Sequence, residues 1–195
     1  MNWPYTKRQD GKIAINLDSN VWDFLFERNI TLSNELPTDE FAIFVTREVE
    51  IEKLTIPNDI SKTPLKKFIE ETIVACGIET TSVFGFFVSG QTHQRVGGFD
   101  QGTWQSETER QYYAAMPKNY LAGKKPKNST LTTNEGDAAV GAQSFFSIVL
   151  TCEKPKKPGP LRFAAEHGGK ILYLGDFDNS GLTLKEFIIA FYKKI

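Results

Sequence analysis

The chain has 195 residues, 40% of them hydrophobic and 24% charged, with a formal net charge of −1. These are the proportions of one globular domain long enough to bury a core. No apolar run approaches the ~20 residues that span a bilayer, and Met1 to Arg8 lack the apolar stretch and cleavage site of a secretory signal, so a cytoplasmic protein without membrane attachment is expected. Two cysteines, Cys76 and Cys152, with no CxxC pair or histidine cluster beside them, argue against a disulfide framework or a zinc site. A net charge this small leaves any nucleic-acid surface to local patches.

Residues 12–17 alternate as a strand and run into Asp18-Ser19-Asn20, where Ser19 or Asn20 is expected to cap a helix from Val21. Residues 41–45 read as a buried strand, after which Thr46 caps a helix over 47–54. Thr63-Pro64 opens a helix that carries Leu65, Phe68, Ile69 and Ile73 at helical spacing and ends at Gly77. Between Val83 and Lys127 the pattern weakens into glycines and aromatics, interrupted by a capping box at Ser106 and Glu109 that opens a helix to Met116. Order returns with a helix over 134–146, a strand over 147–151, a helix over 160–167 and a strand over 170–174. A last helix is capped by Thr183 with Glu186.

Strands alternating with helices at these lengths predict an α/β domain: a mainly parallel central sheet covered on both faces, in three layers α/β/α. Residues 1–195 form a single domain in this reading, with 83–127 an insertion in the middle of the chain.

Asp18 stands at the end of the first strand, and Glu153 just past the strand that ends in Thr151. Asp137 lies early in the helix before that strand, and Glu52 on the helix after the second strand. Functional groups of an open parallel sheet collect outside the carboxyl ends of its strands, so Asp18 and Glu153 converge if their strands are neighbours. Carboxylates are hard donors that suit Mg²⁺ or Mn²⁺, and the chemistry to which such ions lend themselves is hydrolysis of a phosphodiester. Each acid also has a plain structural role open to it. Asp18 could cap a helix, Glu52 could face solvent beside Glu48 and Glu50, Asp137 could complement a helix dipole, and Glu153 could be a loop charge.

In these same places the chain resembles the PIN-domain ribonucleases. Asp18-Ser19-Asn20 matches the family's Asp after the first strand, and Val49-Glu50-Ile51-Glu52-Lys53-Leu54 its helical acid, which falls on Glu52. Asp137-Ala138-Ala139 matches an Asp on an alanine-rich helix, and Thr151-Cys152-Glu153 a strand ending in Thr-x-Asp, here with Glu153 in place of the usual Asp. The order agrees throughout and continues through 160–172, while the long middle has no counterpart. The resemblance implies a PIN-like fold and a metal-dependent endoribonuclease acting on single-stranded or structured RNA. Asp18, Glu52, Asp137 and Glu153 would be the catalytic metal ligands, and Ser19, Asn20 and Thr151 would position a ligand or phosphate. It also implies a toxin or defence effector, controlled by an antitoxin or regulatory protein, and a homodimer.

Other features support other readings. Lys154, Lys156 and Lys157, with Lys124, Lys125 and Lys127, form local basic runs that could meet phosphates or simply keep the surface solvated. Trp104, Arg95, Arg110, Tyr112 and Tyr113 could stack on single-stranded nucleic acid or form core. Gly175-Asp176-Phe177-Asp178-Asn179-Ser180-Gly181 looks like the GDxDxxG element of Toprim domains, with Asp176 and Asp178 for Mg²⁺, and is otherwise a polar turn. A third reading is a non-catalytic partner-binding protein in which the acids are incidental. His93 and His167 enter none of these.

Overall fold

The computed structural model describes residues 2–54, 56, 59–82, 104–121, 131–132 and 134–195. Five strands, β1 (Ile13–Leu17), β2 (Phe41–Thr46), β3 (Glu79–Thr81), β4 (Ile148–Thr151) and β5 (Ile171–Tyr173), form one sheet in the order β3-β2-β1-β4-β5. Every pairing is parallel. The chain fills the sheet on one side of β1 with β2 and β3, then returns to lay β4 and β5 on the other side. The order therefore reverses between β1 and β4, which is where a crevice opens outside the carboxyl ends of an open parallel sheet.

The helices are α1 (Val21–Glu27), α2 (Leu32–Glu35), α3 (Arg47–Leu54), α4 (Thr63–Cys76), α5 (Glu107–Ala115), α6 (Lys118–Leu121), α7 (Glu135–Gln143), α8 (Pro160–Glu166), α9 (Phe177–Ser180) and α10 (Leu184–Tyr192). Two packed groups stand out among them. α1 and α2 contact α4, whereas α7 contacts α3, α5 and α8 and lies on β1, β2 and β4. The grouping is consistent with three layers. Ile15, Leu17, Ile148, Val149 and Leu150 are fully buried between them, as expected of strands covered on both faces. Trp3 ties the N-terminal segment down: its backbone N–H donates to the His167 carbonyl and its indole Nε1 to Gln111 Oε1.

α7 buries Gly136, Ala138, Ala139, Val140, Gly141 and Ala142, small and apolar residues on most of its surface, and leaves Glu135, Asp137 and Gln143 half-buried. α4 ends at Gly77, whose φ of +57° lies in the left-handed region that glycine adopts without steric cost.

Several local expectations are corrected. Asn20 stands at the N-cap of α1 but makes no side-chain cap bond there, because its amide is used elsewhere. Lys62 rather than Thr63 precedes α4, since a 3₁₀ turn over Ile60–Lys62, capped by Asp59, feeds straight into it. α7 stops at Gln143, where the Ser144 hydroxyl donates to the Gly141 carbonyl. The expected insertion over 83–127 lies mostly outside the described residues, including Arg95 and the lysines at 124, 125 and 127. Its described part carries the Ser106–Glu109 capping box and α5, which packs on α7. No helix among the described residues is long and apolar enough to cross a membrane.

Candidate functional site

β1 and β4 are paired with Leu17 opposite Leu150, so the next residue of each strand, Asp18 and Thr151, meets at the sheet's carboxyl edge. The Asp18 carboxylate, 2% exposed, accepts three hydrogen bonds: Thr151 Oγ1 at 2.6 Å and Asn20 Nδ2 at 2.7 Å on Oδ2, and the Ser19 backbone N–H at 2.7 Å on Oδ1. Asn20 spans the junction, since its Oδ1 accepts the Cys152 backbone N–H at 2.7 Å. Thr151 Oγ1 also accepts the Glu153 backbone N–H at 3.1 Å. Ser19, Asn20 and Thr151 thus form a cradle for Asp18 and fix the start of the loop that carries Glu153.

Glu52 reaches the same place from the neighbouring strand's helix. It accepts a hydrogen bond from the Ser19 side chain, and its carboxylate lies against Gly136 on α7. A Cβ at Gly136 would stand 2.6 Å from Glu52 Oε1. Only a glycine leaves room for that carboxylate beside the first turn of α7. Asp137 follows directly and is half-buried.

The four acids act on one another electrostatically. Burial pushes the Asp137 carboxyl up to about 7, reinforced by the charges of Asp18, Glu153 and Glu52. Asp18 is raised chiefly by burial, with Glu153 adding to it and the bonds from Thr151, Ser19 and Asn20 opposing it. Glu52 is raised by burial and by Asp18, against the bond from Ser19. Buried carboxylates raised by one another form a spot with excess negative charge, and a cation relieves it.

One cation from the chain is already there. Lys157 Nζ donates to Glu153 Oε1, and the charges of Asp137 and Asp18 help hold the ammonium protonated. Among the described residues no group of three or more His, Cys, Asp or Glu side chains is arranged to hold a metal ion. Asp18 is turned toward its three donors and Glu153 toward Lys157. The donor set fits a hard divalent cation in kind, being all carboxylate, hydroxyl and amide oxygen with a surplus of negative charge. Asp18, Glu52, Asp137 and Glu153 would hold it, with Lys157 swung away from Glu153. Beside Glu52, Ser19 and Asn20 a cavity of about 260 Å³ opens, walled by Trp22, Val49, Leu65 and Ile69. It adjoins the acids and is apolar enough to take part of an organic substrate.

Comparison with protein-family models, with curated proteins and with solved structures returns no match.

All seven residues singled out in the sequence lie at this junction. Sequence reasoning missed Gly136, which admits Glu52, and it named Lys157 only within a basic run, not as the partner of Glu153 one turn back. The only signal for Gly136 was a glycine directly before an acid in a helix. Elsewhere, Tyr112 is core, fully buried with its hydroxyl donating to the Pro160 carbonyl. Trp104 is exposed, and Arg110 pairs with Glu107. Asp176 and Asp178 lie on a 3₁₀ turn (Leu174–Asp176) and α9 after the edge strand β5. Asp178 there accepts two hydrogen bonds from Arg28, at 2.8 and 2.6 Å, which occupy both of its oxygens.

Proposed function

We propose that the chain is a PIN-like, metal-dependent endoribonuclease acting on single-stranded or structured RNA, with Asp18, Glu52, Asp137 and Glu153 as its metal-binding acids. The reading rests on one observation above all. Asp18 and the loop carrying Glu153 are joined through Thr151 at the switch point of a parallel sheet, and Glu52 lies against Gly136, next to Asp137, with burial and the charges of the other three acids raising the Asp137 carboxyl. Their order along the chain is the order of the family it resembles, and the five-stranded parallel sheet with two groups of helices suits a three-layer PIN-like fold.

When bound, a Mg²⁺ or Mn²⁺ ion would orient and acidify a water and neutralise charge developing on the phosphodiester. The chain's own residues supply the rest. Thr151, Asn20 and the Ser19 amide keep the Asp18 carboxylate in one orientation, so that no side-chain reorganisation accompanies each turnover. Ser19 does the same for Glu52. Asp137, whose carboxyl is raised to about 7 by burial and by the other acids, would give up its proton as the ion binds and hold the ion as a carboxylate with the other three. Lys157 is a second cation that can turn from Glu153 to a phosphate oxygen, and the exposed Lys154 and Lys156 lie on the same loop to attract the polyanion.

Cleavage of end-labelled single-stranded RNA tests the reading directly. Wild type should cut with Mn²⁺ or Mg²⁺ and not in EDTA, and Asp18→Asn and Asp137→Asn should each abolish cutting. Asp176→Asn should leave it intact. Cutting that survives in EDTA, or in both inactivating variants, would overturn the assignment. An antitoxin-like partner and a homodimer belong to the same proposal.

A further inference from the structure

We propose that a cavity of about 320 Å³ at the C-terminal end of α7 binds a nucleoside monophosphate. It shares no lining residue with the acid site, so the inference goes beyond the nuclease reading and does not depend on it. Its volume falls at the lower end of the ~300–1,000 Å³ typical of small-molecule sites.

The chemistry begins with Asn16. This residue interrupts the apolar run of β1, is 1% exposed, and lines the cavity. Neither its Nδ2 nor its Oδ1 has a hydrogen-bond partner, and neither is open to solvent, so the amide sits in the cavity wall and has to turn outward to meet a ligand. Buried amides are almost always satisfied in native proteins, and a fully orphaned one is a donor and an acceptor side by side with nothing to read. A nucleobase edge offers the complementary pair. Asparagine takes adenine this way, accepting from N6 and donating to N7.

The walls suit a flat ring. Phe44 and Phe146 contribute aromatic surface, and Gln143 adds a second amide. The mouth suits a phosphate, because Lys7 and Arg8 both line it and both are exposed. The Arg8 guanidinium lies 5.5 Å over the Phe44 ring, and Lys7 Nζ 4.9 Å over Tyr192. Asp10 pairs with Arg8, which leaves Lys7 as the cation without a carboxylate partner among the described residues. An orphan amide in the wall, aromatic surfaces and cations at the rim together match base, ring plane and phosphate.

Calorimetric titration of the full chain in EDTA, with AMP, GMP, CMP and UMP, tests this. EDTA keeps any metal-mediated binding at the acids out of the readout, so the outcome stands apart from the cleavage assay. AMP should bind at a single site. Asn16→Leu should weaken it at least about tenfold, as loss of one bidentate base contact implies, without lowering Tm, since the buried amide is gone. Lys7→Ala should weaken AMP but not adenosine. If Asn16→Leu does not fold, the Asn16 side-chain NH₂ resonances of wild type should shift on adding AMP. Absence of binding by all four nucleotides in the millimolar range would overturn the proposal. So would unchanged affinity in Asn16→Leu, unmoved Asn16 resonances, or inorganic phosphate binding as tightly as AMP.

Discussion

Asp137 is an acid that the fold makes costly to ionise. Its carboxyl is pushed up to about 7 by burial and by three neighbouring acids, while in the unfolded chain it titrates near 3.9. Between those values the folded state binds more protons than the unfolded state, so this group's contribution to stability falls as pH rises from about 4 to about 7. Asp137→Asn should therefore raise the Tm of the ion-free protein at pH 8, by about 2–4 °C per kcal/mol recovered, and change it little at pH 4. Calorimetry at the two pH values checks this. Equal shifts at both would mean that Asp137 is not strained by its neighbours. Lys157 is the complementary case. It neutralises part of the cluster through Glu153 but is exposed, so Lys157→Met should tighten Mn²⁺ binding only about 2–5-fold, the scale of an exposed ion pair. Weaker binding in that variant would show that the lysine does not compete for the site. Asp18 and Glu153 were legible in the sequence because one directly follows a strand and the other stands two residues past one. The Lys157 contact was not, because it depends on a turn closed by the Lys157 N–H on the Lys154 carbonyl, inside what reads as a uniform basic run.

At the scale of elements, the joint between β1 and β4 and the approach of α3 to α7 make the site. Thr151 Oγ1 links the two strand ends through Asp18 and Glu153. Thr151→Val leaves a buried carboxylate one bond short, which costs roughly 1–3 kcal/mol and should lower Tm together with cleavage. A variant as stable as wild type would remove Thr151 from the cradle. Gly136→Ala separates function from stability. The new methyl meets the far end of the flexible Glu52 side chain, so Glu52 can swing aside with little effect on Tm, while metal-dependent cleavage falls. Unchanged cleavage in that variant would take Glu52 out of the site. The major strands and helices were readable from periodicity and capping residues. Four short elements were not. β3 is three exposed or half-buried polar residues, Glu79, Thr80 and Thr81, too short for alternation to register, and α2 (Leu32–Glu35), α6 (Lys118–Leu121) and α9 (Phe177–Ser180) are single turns. Packing of Glu52 on Gly136 was equally hidden, being a contact between helices over eighty positions apart in sequence.

For the whole molecule, the order β3-β2-β1-β4-β5 is what turns scattered acids into a site. Parallel pairing of β4 beside β1 was the condition on which convergence of Asp18 and Glu153 rested, and the sheet meets it. Asn16 shows how the same strand serves two places: its polar residues Asn16 and Asp18 share one face, one lining the cavity at the end of α7 and the other the acid cluster. That alternation was present in the sequence, but what covers the face was not. If the acids form one centre, a divalent cation stabilises the folded state by mass action, about 2.7 kcal/mol at a hundred times its Kd. Binding must also displace protons from Asp137 and its neighbours. The most direct measurement is the Tm of wild type, Asp18→Asn and Asp137→Asn against Mn²⁺ concentration at pH 6 and pH 8. The account predicts a rise in wild type that is larger at pH 8 and is lost in both variants. A wild-type Tm that Mn²⁺ leaves unmoved at either pH, or a full rise retained in both variants, would contradict it.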